Sequence, residues 1–392
     1  MTPAARVQAA IEILDAVIAA AKAGGAPADR VFSEWFRMRR FAGSKDRRAV
    51  RDLVYNAIRA CGPIPESGRA AMLRLVQGDE ALASLFDGGR HAPEPIDPAE
   101  PVALGGVAPA WLERALESSG VSGEEALALL DRAPLDVRVN ALKAERDGLV
   151  LPVEGEPLPA RYGLRFPANT PVESWDAYEQ GLVEVQDGGS QLTCEAVAAL
   201  PGETVIDLCA GAGGKTLALA ASMAGKGRLV ACDVDRARLQ RLAPRAERAG
   251  APLIETLLMN PNRELEALAD LVGKAEAVLI DAPCSGTGTW RRNPEARWRL
   301  SEKELARVTG IQSRLLDIAA TLVKPGGRII FVTCSLLDAE GADQVQAFLR
   351  RDSRWQADVL DLPAGQPRGA GVRMTPARDG TDGFFVARLK RV

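Results

Sequence analysis

The chain has 392 residues, of which 47% are hydrophobic and 26% are charged, so it is long enough for two or three domains with cores of their own. Its single histidine, His91, excludes Ser-His-Asp triads, Cys-His dyads and histidine-rich metal sites. The sequence contains no run of about 18 apolar residues and no signal-like start, so we expect a cytoplasmic protein that does not span a membrane.

The first 86 residues show helical periodicity and no alternating strand pattern. Apolar residues recur at helical spacing over 5–22, a second helix is predicted over 46–60, and shorter helices are predicted within 67–86. We therefore predict an all-helical domain over 1–86.

Positive charge is concentrated in this region, although the net charge of the chain is −3. Residues 1–75 contain 13 Lys and Arg against 7 Asp and Glu. The basic residues cluster at Arg37, Arg39, Arg40, Lys45, Arg47, Arg48 and Arg51, and a second cluster combines Trp290, Arg291, Arg292, Arg297, Trp298 and Arg299. Guanidinium groups and aromatic faces suit phosphates and unstacked bases, so both clusters indicate nucleic-acid binding. A solvated helix face is the alternative interpretation of the first cluster.

The next two segments differ in composition and in predicted secondary structure. Residues 87–109 are rich in Pro and Gly and are predicted to form a linker. A helical stretch at 110–132 and short apolar runs over 136–186 predict a small mixed α+β subdomain over 110–186.

From residue 187 onward, apolar runs of strand length alternate with helical stretches. Strands are predicted at 203–208, 228–232, 277–281 and 328–333, and helices at 215–224, 235–249, 303–323 and 338–350. This alternation predicts an α/β domain over 187–392 with a mostly parallel sheet and helices on both faces. In such a sheet, ligands bind at the carboxyl ends of the strands.

The first of these strands runs into a glycine-rich turn. The turn comprises Cys209, Ala210, Gly211, Ala212, Gly213 and Gly214 and is followed by Lys215 and Thr216. Glycines let the backbone approach a ligand closely. A Walker A loop would need Gly where Cys209 stands, so the phosphate-binding interpretation fails.

The second strand ends at Asp233, about 20 residues past the turn, where an acidic side chain suits a ribose diol. Asp235 is better explained as a helix N-cap.

Two further strand ends carry cysteines. Asp281 and Cys284 follow one strand and Cys334 follows another. For each cysteine alone, burial as a small apolar side chain is an equally good interpretation, but two thiols at adjacent strand ends favour chemistry.

We expect all six cysteines to be reduced, because none forms a Cys-x-x-Cys pair. The separations between Cys209, Cys232, Cys284 and Cys334 resemble no structural zinc site, so no metal is expected.

These motifs resemble the NOL/NOP/Sun family of RNA cytosine-5 methyltransferases, which use S-adenosylmethionine. The resemblance lies in 209–216, in Asp281-Ala282-Pro283-Cys284-Ser285-Gly286-Thr287-Gly288 and in Thr333-Cys334-Ser335. It extends to Arg138-Val139-Asn140, to 186–191, to Asp382-Gly383-Phe384-Phe385, and to Arg291-Arg292-Asn293-Pro294, where the family usually has His in place of Asn293. The basic helical region resembles the NusB-like RNA-binding domain of the bacterial Sun/RsmB branch. The implied fold is a Rossmann-like class I methyltransferase domain preceded by this all-α domain and the small α+β subdomain.

The resemblance implies a role for each motif residue. Cys334 would be the nucleophile, Cys284 the second thiol that helps release the product, and Asp281 the group that hydrogen-bonds the cytosine edge. Residues Cys209 to Lys215, Asp233 and Asp281 would bind the cofactor. Asn260 stands where the family has an acidic residue near the adenine, and its amide oxygen would accept from the adenine amino group. RNA would be bound by Arg39, Arg40, Arg47, Arg48, Arg291 and Arg292.

Several alternatives stay open. DNA cytosine methyltransferases use a Pro-Cys nucleophile, so the sequence alone does not rank Cys284 against Cys334. We expect a monomer that methylates 16S rRNA. The other hypotheses are a tRNA methyltransferase of the same family, a catalytically weak ribosome-assembly factor and, more remotely, a nicotinamide dehydrogenase.

Overall fold

The computed structural model describes residues 1–39 and 41–392, which form two compact units. Unit 1 comprises Met1–Asp131 and Thr289–Ser301, and unit 2 comprises Arg132–Gly288 and Glu302–Val392. This grouping differs from the domain boundaries expected from the sequence. Residues 87–131 belong with the helical region, and residues 132–186 belong with the large sheet.

Unit 1 is helical, as predicted. The helix α1 begins with Pro3 at its first position and with the Thr2 hydroxyl accepting from the Ala5 amide, an arrangement that satisfies a free helical N–H. The apolar residues on the predicted face of α1 are buried. The second helix of this unit was not predicted from the sequence. The helices are α1 (Pro3–Lys22), α2 (Ala28–Arg37), α3 (Ser44–Ala60), α4 (Gly68–Val76), α5 (Glu80–Ala83), α6 (Ala110–Ser118) and α7 (Gly123–Leu127), with a 3₁₀ turn at Ala128–Leu130.

The expected linker packs against the helices of unit 1. The Ala103 amide donates to the Ala70 carbonyl at 3.2 Å, and the Gly62 amide donates to the Leu104 carbonyl at 3.1 Å. Phe86 and Ala103 are buried in the same core as α1 and α3. The stretch 87–109 is therefore fixed to unit 1 at Ala103 and Leu104.

Residues Thr289–Ser301 also belong to unit 1. A 3₁₀ helix at Pro294–Arg299 places Trp298 in the core of that unit. The Arg297 side chain is fully buried, and its guanidinium donates to the carbonyls of Pro294, Ile58 and Cys61. This short segment thus completes a core whose other residues come from the first 131 positions.

Unit 2 begins with a four-stranded antiparallel sheet in the order β2-β3-β1-β4. Its apolar core includes Val137, Phe166, Trp175 and Val183. The strands are β1 (Leu135–Val139), β2 (Glu156–Pro157), β3 (Gly163–Phe166) and β4 (Val183–Val185), with α8 (Asp176–Glu179) before β4 and a 3₁₀ turn at Val172–Ser174.

The larger sheet has nine strands in the order β11-β12-β13-β9-β8-β5-β6-β7, with β10 paired to β13. Strands β7, β6, β5, β8 and β9 are parallel, and β10 to β13 form the antiparallel part. The strands are β5 (Thr204–Asp207), β6 (Arg228–Asp233), β7 (Ile254–Leu258), β8 (Ala275–Asp281), β9 (Val323–Thr333), β10 (Trp355–Asp358), β11 (Gln366–Arg368), β12 (Gly371–Met374) and β13 (Phe384–Arg391).

Helices accompany this sheet, and apolar clusters line both of its faces. The helices are α9 (Gly188–Glu195), α10 (Gly214–Ser222), α11 (Arg236–Leu239), α12 (Leu242–Ala249), α13 (Glu264–Ala267), α14 (Glu302–Leu322), α15 (Ala342–Arg351) and α16 (Pro376–Asp379), with 3₁₀ turns at Ala269–Leu271, Thr287–Thr289 and Asp338–Glu340. The predicted Rossmann-like α/β fold is confirmed.

The strand order places a ligand crevice at one edge of the sheet. Chain order reverses between β5 and β8, which are neighbours although two strands separate them in sequence. Ligands of open α/β sheets bind at such a switch point, outside the carboxyl ends of the strands. Among the helices of the described part of the chain, none combines the length and apolar character needed to cross a bilayer.

Candidate active site

The glycine-rich turn after β5 is fastened to the end of β6. The Asp233 carboxylate accepts from the Gly211 amide at 2.7 Å through one oxygen and from the Asp235 amide at 2.7 Å through the other. Asp235 itself caps α11 by accepting from the Arg238 amide at 3.0 Å, as the N-cap interpretation predicted. Asp233 is thus held at the predicted strand end, and each of its oxygens keeps a lone pair for a ligand.

Two glycines shape this turn. Gly213 has φ +87°, and a Cβ there would lie 2.0 Å from Leu242 Cδ1, so a side chain is excluded. Gly211 has φ +56°, and a Cβ there would have no heavy atom within 4 Å. The turn is therefore tight on the protein side and open beside Gly211, where a ligand can approach the backbone.

The other predicted cofactor residues lie at the same sheet edge. Asn260 is exposed just after β7, and the neighbouring Met259 amide donates to the Asp233 carbonyl at 2.9 Å. Cys209 opens the turn, and burial together with the Asp207, Asp281 and Asp233 carboxylates raises its pKa well above the ordinary value. The Cys209 thiol therefore stays protonated and is unsuited to nucleophilic attack.

Lys215 and Asp281 form an ion pair across the switch point. The Lys215 ammonium, in the first turn of α10, lies 2.7 Å from an Asp281 carboxylate oxygen at the end of β8. Burial by itself would lower the pKa of Lys215, but the Asp281 carboxylate more than offsets it and the pKa is raised. Lys215 also lies 5.5 Å from the centre of the Phe384 ring. The Asp281 side chain is 31% exposed, so it can still meet a ligand.

The two predicted cysteines meet. Cys284 Sγ and Cys334 Sγ lie 3.4 Å apart, in the loops that follow β8 and β9. The hydrogen bond with Cys334 and burial raise the pKa of Cys284 well above its ordinary value. The two thiols are therefore in hydrogen-bond contact, and either sulfur can be the donor.

Asp207, at the end of β5, is a buried carboxylate behind these groups. Its Oδ2 accepts from the Thr216 hydroxyl at 2.7 Å, and Oδ1 is buried without a partner within the described residues. Burial raises the pKa of Asp207 to about 7, against the Thr216 hydrogen bond.

Three of the sequence segments that carried the resemblance, all in unit 2, are joined to the site by hydrogen bonds. Arg138 Nε donates to Gln186 Oε1 at 2.7 Å, and Gln186 Nε2 lies 3.5 Å from Cys194 Sγ. Burial raises the pKa of Cys194 to about 11, although the Lys215 ammonium opposes this change. At the other end of the chain, the Gly383 amide donates to the Gly288 carbonyl at 2.8 Å, joining the start of β13 to the Cys284 loop.

Sequence reasoning missed one group beside the cysteines. Glu340 is fully buried, and it accepts hydrogen bonds from both serines that follow the cysteines, Ser285 and Ser335. The motif Thr333-Cys334-Ser335 ends five residues before Glu340. A glutamate in a short turn carries no signal that distinguishes it from a solvated one.

The predicted RNA-binding arginines lie in unit 1. Arg47 and Arg48 are exposed on α3, whereas Arg39 lies 4.0 Å from the centre of the Trp35 ring and donates to Glu12 at 3.2 Å. Arg40 lies outside the described residues.

The second basic cluster is largely internal to unit 1. Arg291 is only 6% exposed and Arg292 is half-buried, which leaves little of the Arg291 guanidinium for RNA, and the RNA role of both stays a prediction. Arg297 and Trp298 are buried, and Arg299 donates to the Gly25 and Ala26 carbonyls. The prediction that Arg297 and Trp298 contact nucleic acid is wrong, because both are buried in the unit, whereas that for Arg299 stays a prediction.

Across the part of the chain that the structure describes, no group of three or more His, Cys, Asp or Glu side chains is arranged to hold a metal ion.

Comparison with known proteins gives one consistent family. Residues 195–390 match the family described as 16S rRNA methyltransferase RsmB/F. Ribosomal RNA small subunit methyltransferase B of Citrobacter koseri is 32% identical over 289 residues, which cover 72% of this chain and 66% of that relative. The corresponding protein of Xylella fastidiosa is 35% identical over 290 residues, covering 72% of this chain and 68% of that protein. This chain thus spans about two thirds of the length of these relatives.

A solved structure agrees in fold. The crystal structure of a methyltransferase homolog protein from Pyrococcus horikoshii superimposes with a TM-score of 0.61 at 26% identity. The superposition covers 72% of this chain and 99% of that one.

Proposed function

The chain belongs to the RsmB/F family of 16S rRNA methyltransferases, and on that premise we propose that it methylates carbon 5 of a cytosine in RNA, with 16S rRNA as the substrate. The observation that carries this proposal is the pair of thiols 3.4 Å apart at the ends of two adjacent strands, beside a carboxylate. A methyltransferase acting on oxygen or an exocyclic nitrogen has no use for two cysteines there. Methylation of a cytosine ring carbon uses two cysteines, one as nucleophile and one in product release.

The turn after β5 fits S-adenosylmethionine. A Cβ at Gly211 would meet no heavy atom within 4 Å, so a nucleoside would be able to approach the backbone there, and the fixed Asp233 carboxylate suits a ribose diol. Asn260 at the end of β7 would meet the adenine, and residues 209–215 would enclose the remainder. When bound, the cofactor supplies a methyl group on a positively charged sulfur.

Cys334 provides the nucleophile. Carbon 5 of cytosine is too electron-poor to attack a methyl donor, and addition of a thiolate to carbon 6 makes it enamine-like. Cys284 Sγ lies 3.4 Å from Cys334 Sγ, so an S–H donated by Cys284 would stabilise a thiolate at Cys334. The Sγ–C6 bond forms in this step.

Asp281 and Cys284 complete the cycle. Asp281 is partly exposed at the end of β8 and would hydrogen-bond the amide-like edge of the cytosine, where charge develops during addition. After carbon 5 has accepted its methyl group, a base removes the carbon 5 proton, the electron pair of that C–H bond re-forms the C5–C6 double bond, and the Sγ–C6 bond breaks to release the Cys334 thiolate. Cys284 is the second thiol in contact with the departing sulfur, and it assists this release.

Substitution of each cysteine tests the proposal. Cys334→Ala should abolish transfer of labelled methyl groups to unmodified RNA. Cys284→Ala should instead accumulate a covalent RNA–protein adduct that survives a denaturing gel. Cys61→Ala is the matched control, because Cys61 is buried in the core of unit 1, and it should retain transfer and give no adduct.

The outcomes separate the competing hypotheses. Full activity of Cys334→Ala, or an adduct in Cys334→Ala only, would overturn the assignment of the nucleophile. Failure of the wild-type protein to bind S-adenosylmethionine in equilibrium dialysis would support the ribosome-assembly factor. Bisulfite sequencing of rRNA and tRNA from a deletion strain identifies the RNA that loses its mark.

A further inference from the structure

A buried carboxylate lies behind the two cysteine loops. The Glu340 side chain is fully buried in the 3₁₀ turn Asp338–Glu340, between β9 and α15. Burying a carboxylate is unfavourable unless hydrogen-bond donors replace water around it. The hydrogen-bond donors around Glu340 therefore indicate which parts of the structure this carboxylate holds together.

Both cysteine loops supply those donors. Ser285, next to Cys284, donates its amide to Glu340 Oε1 at 2.7 Å and its hydroxyl to Oε2. Ser335, next to Cys334, donates its hydroxyl to the same Oε2 at 2.5 Å. One carboxylate therefore bonds the residue that follows each cysteine.

A third element also holds the carboxylate. Gln312 of α14 donates its side-chain amide to Glu340 Oε1 at 3.2 Å and to the Pro283 carbonyl at 2.9 Å. Gln312 is fully buried and so reinforces the Cys284 loop from α14.

The hydroxyl groups are ordered in one direction. The Leu336 amide donates to Thr287 Oγ1 at 2.8 Å, and the Leu337 amide donates to Ser335 Oγ at 3.1 Å. Thr287 Oγ1 lies 3.1 Å from Ser335 Oγ, so the Thr287 hydroxyl donates to Ser335 and the Ser335 hydroxyl donates onward to Glu340. An ionised carboxylate, which only accepts, is the group that can end this chain.

We propose that Glu340 is a positioning residue that fastens the Cys284 loop to the Cys334 loop and so keeps the two thiols in contact. It acts through Ser285 and Ser335. The catalytic meaning of this role rests on the proposed function, whereas the geometry itself can be tested without RNA.

The first test measures whether the two thiols can be bridged. Phenylarsine oxide binds two neighbouring thiols through two As–S bonds and releases water. The full-length wild-type protein should bind it tightly, and Cys284→Ala and Cys334→Ala should not. Glu340→Ala should bind it about 100-fold more weakly, since the advantage of joining two sites is lost when they separate. Asp343→Ala removes an exposed carboxylate three residues away and should match the wild type.

The second test separates positioning from folding. Glu340→Ala should lower kcat for the folded protein while KM for RNA and for S-adenosylmethionine stays within about twofold. Glu340→Gln keeps an acceptor for the Ser285 amide, so it should recover part of both kcat and arsenical binding. If Glu340→Ala does not fold, Glu340→Gln decides the question by the same two measurements.

Wild-type arsenical affinity in a folded Glu340 variant would overturn the proposal. So would a kcat that is unchanged per folded molecule. Failure of the proposed function has a different signature, because Cys334→Ala would then retain methyl transfer while the loss of arsenical binding in Glu340→Ala would still stand.

Discussion

Asp207 and Asp281 end adjacent strands, yet their surroundings differ. Asp281 is partly exposed and lies 2.7 Å from the Lys215 ammonium. Asp207 is fully buried, and its hydrogen-bond donor is the neutral Thr216 hydroxyl. Desolvation therefore dominates at Asp207, whereas ion pairing is available to Asp281.

This difference predicts a pH dependence of stability. Burial raises the pKa of Asp207 from 3.8 to about 7, so the folded state holds its proton more tightly than the unfolded state does. The stabilisation of the folded state by the Asp207 proton is complete below pH 3.8 and is lost as the pH rises through 7. Relative to Asp207→Asn, the wild-type free energy of unfolding should fall by about 4 kcal/mol between about pH 4 and pH 8, at roughly 1.4 kcal/mol per unit. Urea denaturation across that range measures it.

Asp131→Asn, which alters an exposed carboxylate, serves as the control and should preserve the wild-type slope. A slope that is the same in Asp207→Asn and in the wild type would show that Asp207 titrates normally.

At the scale of elements, α2 and α3 present the basic surface of unit 1. Several of its arginines lie over aromatic rings, with Arg39 over Trp35 at 4.0 Å and Arg51 over Tyr55 at 5.4 Å. Such contacts hold the planar guanidinium groups in place, and Arg39 in addition donates to Glu12 at 3.2 Å.

Neutralising this surface should weaken RNA binding and reduce its salt dependence. The combined change Arg39→Gln, Arg47→Gln and Arg48→Gln should lower the slope of log K against log salt by about 0.7 to 0.9 for each phosphate that is no longer neutralised. Filter binding or fluorescence anisotropy at several salt concentrations measures the slope. Arg30→Gln, whose partner Glu34 lies on the same helix, should leave the slope unchanged. An unaltered slope in the triple variant would mean that the cluster is only a solvated face.

A second element, the segment Thr289–Ser301, is needed to complete unit 1. Besides the carbonyl contacts of Arg297, the Trp298 indole donates to the Gly62 carbonyl at 3.2 Å, and Glu295 accepts from the Ala28 amide at 2.9 Å. A fragment of residues 1–131 should therefore be less stable than the same fragment joined to residues 289–301 by a flexible linker.

The expected difference in the free energy of unfolding is about 3 to 5 kcal/mol, the usual loss when a large buried aromatic residue is removed from a core. Thermal and urea denaturation of the two fragments, followed by circular dichroism, gives this value. Equal stability of the two fragments would show that residues 289–301 do not stabilise the core of unit 1.

For the molecule as a whole, the sequence predicted what depends on local pattern. Buried apolar runs next to glycine turns identified β5, β6, β8 and β9, and the meeting of Cys284 with Cys334 followed from adjacent carboxyl ends of parallel strands.

Other features depend on contacts between residues distant in the chain, which periodicity does not encode. The antiparallel pairing of β13 with β9 and the bonds from Glu340 to Ser285 are of this kind. The prediction for the Trp-Arg-rich segment failed because the same residue types suit two environments. Trp can pack in a core and Arg can donate to backbone carbonyls, just as both can bind RNA.

The arrangement of unit 1 also has a consequence during translation. Residues 132–288, which include β5, β6 and β8, are synthesised between the two parts of that unit. At typical elongation rates this takes about 8 to 30 s, during which the nascent helices lack Arg297 and Trp298. The core of unit 1 is therefore complete only after residues 289–301 have been synthesised, and a stall before that point would leave a less stable amino-terminal core open to chaperones and proteases.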